Sequence, residues 1–124
     1  MKTLLNAALL SATLIQPARA QDNLPWIFAD CAGRYSAEME HAWLMRTSEG
    51  SGHDAQRKVF ASLIEASSTD IPDSALLAHQ IQAKQAHAQL IRSATFLKDA
   101  KRASFAHNTA ETFIRLCQKL LLGG

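Results

Sequence analysis

Residues 30–44 read Asp-Cys-Ala-Gly-Arg-Tyr-Ser-Ala-Glu-Met-Glu-His-Ala-Trp-Leu. With Phe28 just ahead of them, Cys31, Ala32, Tyr35, Met39, Ala42 and Trp43 recur at spacings of three and four, which puts them on one stripe of a helix. Asp30, Arg34, Glu38 and His41 fall on the opposite side. The pattern predicts an amphipathic helix over Leu24–Met45. Asn23 can cap it, and Pro25 suits the first turn, where a missing N–H needs no partner. Gly33 weakens such a helix, so it marks a kink or a close approach to a neighbour.

Outward from this segment the pattern stays helical. Beyond Ala20, seventeen alanines stand against one valine, which favours helix over sheet. The run Thr47–Gly52 predicts a loop. A second, shorter helix is expected over Asp54–Ala66, with Val59, Phe60, Leu63 and Ile64 as its buried edge. A turn follows at 67–72, with Thr69 or Asp70 as the next cap. A third helix is expected over Pro72–Lys98. Leu76, Ala83, Leu90 and Leu97 repeat every seven residues there, and Leu77, Ile81, Ala88, Ile91 and Ala94 widen the face enough for two neighbours. The fourth runs from Ala100 to Leu122, capped by Asp99 or restarted at Asn108 with Glu111. Its stripe is Phe113, Leu116, Cys117, Leu120 and Leu121. The fold class is therefore all-α, a four-helix up-down-up-down bundle.

Residues 1–20 read differently. Lys2 precedes an apolar stretch from Leu4 to Ile15, Pro17 ends it, and Ala18-Arg19-Ala20 offers a small-x-small cleavage pattern. The stretch is too short to span a bilayer stably. The expected organisation is a signal peptide over 1–20, cleaved after Ala20, and one helical domain over 21–124, placed in the periplasm or secreted. Of the 13 bases against 11 acids, Lys2 and Arg19 leave with the signal, so the mature chain carries no net charge with neutral histidines. The basic balance of the whole chain is thus no argument for nucleic acid as a partner. Residues 21–72 are acidic and 73–124 basic. Neighbouring helices of opposite sign account for this, with a basic partner-binding face as the alternative.

Export bears on the cysteines. A pair in an oxidising compartment becomes a disulfide. Cys31 lies near the start of the first helix and Cys117 near the end of the last. Both are on apolar stripes, and those helices are antiparallel in the expected bundle. One Cys31–Cys117 bridge follows. No Cys-x-x-Cys pair supports redox chemistry.

Other chemistry is sparse. Glu38 and His41 have the Glu-x-x-His spacing of a carboxylate-bridged metal bundle, but none of Glu49, Glu65 and Glu111 has a histidine three residues on. A b-type haem would call on Met39 and His107, though His107 falls toward the polar side of its helix. Neither a metal nor any other cofactor is expected, and no hydrolase or phosphate-binding motif occurs. His87 falls within the apolar arc of the third helix. It is a hydrogen-bonded core histidine or a pH sensor.

The segment quoted first resembles small exported helical proteins of alphaproteobacteria, a group that carries no activity or site to transfer. The likeness covers mainly the first helix, and Cys117 fits it. Arg34, Tyr35, Glu38, His41 and Trp43 form the candidate binding surface. The expected function is a non-enzymatic binding or interaction module for a periplasmic protein or small ligand. The alternatives are an acid- or stress-responsive chaperone and a metal or haem carrier.

Overall fold

A computed structural model describes residues 23–67 and 70–123. The expected signal peptide lies outside the described residues. Among the described residues four helices follow in order: α1 Leu24–Leu44, α2 Gly50–Ser67, α3 Asp73–Phe96 and α4 Ala100–Leu121. Among the described residues no helix is long and apolar enough to cross a membrane.

Cross-helix partners give the directions. Along α1 and α3 they rise together: Trp26 meets His79, Glu38 meets His87, and His41 meets Thr95. Along α1 and α2 they run in opposite senses: Phe28 packs on Phe60, Tyr35 on His53, and Trp43 on Gly50. Cys31 joins Cys117 and, one turn on, Arg34 lies over Phe113, so α4 runs antiparallel to α1. The helices therefore alternate up, down, up and down. Their lateral order is not a square ring, however. Both α2 and α3 pack closely on α1, α4 packs on α3 and touches α1 less, and α2 approaches neither α3 nor α4 closely through its backbone.

The composition of α1 makes it the central helix. Opposite its apolar stripe stand Ala29, Ser36 and Ala37, all buried, beside the buried Gly33 and Arg34. Small side chains let two helices approach the same rod from different sides. Gly33 is the closest point: a Cβ there would run into the Gln80 carbonyl oxygen and lie 2.9 Å from the Lys84 nitrogen. This is the close helix contact that the glycine marks.

Cys31, Ala32, Tyr35, Phe60 and Cys117 form the core, with Phe28, Leu63, Ile64, Ile114 and Leu121 packed against it. The Tyr35 and Phe60 rings stack at 5.8 Å between centroids. Complete burial of a ring such as Phe60 stabilises the fold by roughly 2–3 kcal/mol. The disulfide lies inside this cluster and links positions 86 residues apart.

Several local expectations change. α2 begins at Gly50, not Asp54, because the His53 N–H already bonds the Glu49 carbonyl at 3.1 Å and Gly50 leaves room for the Trp43 indole. Asn23 stands at the N-cap of α1 but makes no side-chain capping bond; its carbonyl accepts from the Ile27 N–H. Pro72 holds the N-cap position of α3 in place of Asp70; Thr69 lies outside the described residues. Asp99 is the cap of α4, accepting from the N–H groups of Lys101 and Arg102 at 3.0 and 3.3 Å, and α4 is unbroken at Asn108. Trp43, Val59, Leu77, Ile81 and Leu116 are exposed, so the apolar stripes are wider than the surface the neighbouring helices cover.

Candidate functional site

A polar chain runs through the interior between α1 and α3. Arg34 is buried beneath the Phe113 ring, its guanidinium carbon 3.6 Å from the ring centre. Its Nε donates to Asp30 Oδ2 at 2.9 Å, the two residues being one turn apart. Its NH1 lies 3.3 Å from His87 Nδ1. A guanidinium only donates, so Nδ1 must carry the lone pair. The His87 proton is then on Nε2, which donates to Glu38 Oε1 at 2.8 Å. Every polar atom of this fully buried imidazole is thereby satisfied. Tyr35 lies behind the chain, 2% exposed, and among the described residues its hydroxyl has no hydrogen-bond partner; Gln118 is the polar group that faces it. Burial pushes the Tyr35 phenol above its ordinary range.

Glu38 is the outer end of this chain and the floor of a groove. The groove has a volume of about 540 Å³ and draws on every helix. Each of three segments brings a carboxylate and an imidazole on one helical face: Glu38 with His41 from α1, Glu49 with His53 at the start of α2, and His107 with Glu111 from α4. Ile91, Ala94, Ala110 and Ile114 supply the apolar part. The groups are partly ordered among themselves. His41 Nε2 is 3.4 Å from Thr95 Oγ1, Arg115 donates to Glu111 Oε2 at 3.2 Å, and His107 Nε2 lies 3.3 Å from Glu111 Oε1. Counting neutral imidazoles, three carboxylates face one guanidinium, and the groove is electronegative.

Burial raises the Glu38 pKa, but the hydrogen bond from His87 and the nearby imidazoles of His87, His53 and His41 outweigh it and hold the carboxyl below its ordinary value of 4.5. A carboxyl whose folded pKa is depressed stabilises the fold fully above its unfolded pKa. That contribution is lost as pH falls through the lower folded value. Glu38→Gln is therefore expected to lower the melting temperature near neutrality and to flatten its decline below about pH 4.5. Thermal melts of both proteins across that range check it; parallel curves would remove Glu38 from the acid response.

The candidate surface read from residues 34–43 is divided by the fold. Glu38 and His41 line the groove. Arg34 and Tyr35 are buried behind it, and Trp43 is exposed against Gly50, outside the groove. His87 supports the groove through Glu38 without lining it. Met39 is buried, while His107 is exposed on the groove rim. Among the described residues no three His, Cys, Asp or Glu side chains converge tightly enough to hold a metal ion. The groove residues that sequence reading passes over are Glu49, His53 and Glu111. Their signal is a four-residue spacing, Glu49 to His53 and His107 to Glu111, which places both partners on one helix face as a three-residue spacing does. No family model, no curated protein and no solved structure matches the chain.

Proposed function

We propose that this is an exported, non-enzymatic binding module whose groove takes a small organic cation. The observation that carries the reading is the groove itself: three carboxylates and three imidazoles, contributed in pairs by separate segments, around an apolar wall. Its volume lies within the range of roughly 300–1,000 Å³ typical of small-molecule sites. Its electronegative rim selects positive charge, and Ile91, Ala94, Ala110 and Ile114 suit a short aliphatic body. The donors are spread too widely for a bare metal ion. Export accords with the leader pattern of residues 1–20 and with the Cys31–Cys117 bridge.

Calorimetric titration with 1,4-diaminobutane tests the reading. Saturable binding is expected at neutral pH, with Glu49→Gln and Glu111→Gln each weakening it about tenfold, the equivalent of one charge-assisted contact. Equal affinity for butanedioate, or unchanged affinity in both variants, would overturn the assignment.

The acid-responsive chaperone is a second reading, favoured by the buried Glu38–His87 pair that ties α1 to α3. Loss of the Glu38 charge loosens that tie and opens an apolar interior. Light scattering from an acid-denatured client, with and without the protein, separates this reading from the first.

A further inference from the structure

The end of the bundle where α3 turns into α4 carries exposed apolar side chains and unpaired cations together. Phe96 is 62% exposed and Phe105 73% exposed, on either side of the turn. Leu90, Leu97 and Phe105 line a cleft of about 350 Å³ between α3 and α4, and Lys101 and Arg102 stand on the same cleft. Lys98 adds a third cation in the turn. Among the described residues none of these three cations enters an ion pair. Asp99, the one acid of the turn, is engaged in capping α4. The last turn of α1 ends at the same level, because His41 lies beside Thr95. It adds Leu44, 73% exposed, and then Arg46.

We infer that this end of the bundle docks on an anionic lipid surface. Solvated apolar side chains are a standing cost unless something covers them, and an isolated basic turn would have no use for two exposed phenylalanines. Cations ringing aromatic tips match a negatively charged headgroup layer over an acyl layer. The cleft offers an apolar wall for an acyl chain with Lys101 and Arg102 placed for the headgroup phosphate. The contact is peripheral, since no described helix can span the bilayer. It uses a different face from the groove, so either assignment can fail without the other.

Flotation of the exported, oxidised protein with vesicles tests it. Binding is expected to an equal mixture of phosphatidylcholine and phosphatidylglycerol, not to phosphatidylcholine alone, and added salt should release it. The Lys98→Gln/Lys101→Gln/Arg102→Gln variant is expected to lose roughly a hundredfold in affinity. Phe96→Ser/Phe105→Ser keeps every charge and should lose about tenfold or more. Both variants alter exposed side chains, and unchanged helical circular dichroism confirms that they fold. Equal binding to both vesicle types, or no loss in either folded variant, would overturn the proposal. Capture of polyglutamate without any vesicle binding would overturn it too, reassigning the cations to an acidic polypeptide.

Discussion

Gly33→Ala is expected to lower the melting temperature by roughly 10–25 °C, corresponding to a loss of about 3 kcal/mol or more. By helix propensity alone the substitution should stabilise α1, by up to about 1 kcal/mol. The added methyl, however, meets the Gln80 carbonyl and the Lys84 nitrogen, which are backbone atoms of α3. Backbone cannot rotate aside as a side chain can, so α1 and α3 must separate. Separation would pull His87 from Arg34 and Glu38 and leave the buried imidazole without its hydrogen-bond partners. Gly52→Ala is the matched control. Gly52 lies in α2, is exposed, and has nothing within 4 Å of an added Cβ, so the propensity gain should appear there alone. Thermal melts of the two variants should move in opposite directions. If Gly33→Ala melts with or above the wild type, the packing of α3 on α1 is not as described.

Cys117→Ser is expected to cost about 4–5 kcal/mol in the loop-entropy model, because the bridge closes a segment of 86 residues. A domain of this size holds about 5–15 kcal/mol in all, so the variant should melt tens of degrees lower or lose its cooperative transition. The remaining Cys31 and the new hydroxyl would both sit in the core beside Phe60. Reduced wild type should melt like the variant. A melt under non-reducing conditions that matches the wild type would remove the bridge from the stability of the fold.

Much of this architecture is legible along the chain. The stripe through Cys31, Tyr35 and Met39 is buried, the helices fall within a few residues of the expected bounds, and the two cysteines meet. What the pattern misses is that α1 is buried almost all round. Ala29, Ser36 and Ala37 give no signal, because small side chains are as compatible with solvent as with a tight contact. Arg34 reads as part of a binding surface until Phe113, His87 and Asp30 are placed around it.

The candidate site is less legible for a related reason. Its partners are brought together by the rotation of each helix about its own axis, which local spacing does not set. His87 stands 49 residues from Glu38 and 53 from Arg34, and no short motif links them. The Glu-x-x-His pair at 38 and 41 is visible alone. The pairs at 49 and 53 and at 107 and 111 become meaningful only when three segments face one cavity. The surplus of apolar stripe, by contrast, was visible in the sequence as a wide face on the third helix. The structure leaves part of it, at Leu77 and Ile81, exposed.

Native mass spectrometry of the protein recovered from its own cell, before and after addition of 1,4-diaminobutane, reads the proposed leader, the bridge and the groove together. The expected species begins at Gln21, is two hydrogens lighter than the reduced chain, and gains one diamine that Glu111→Gln gains far less readily. Retention of Met1–Ala20, two free thiols, or diamine uptake indifferent to Glu111 would refute an exported, disulfide-tied module that binds cations in this groove.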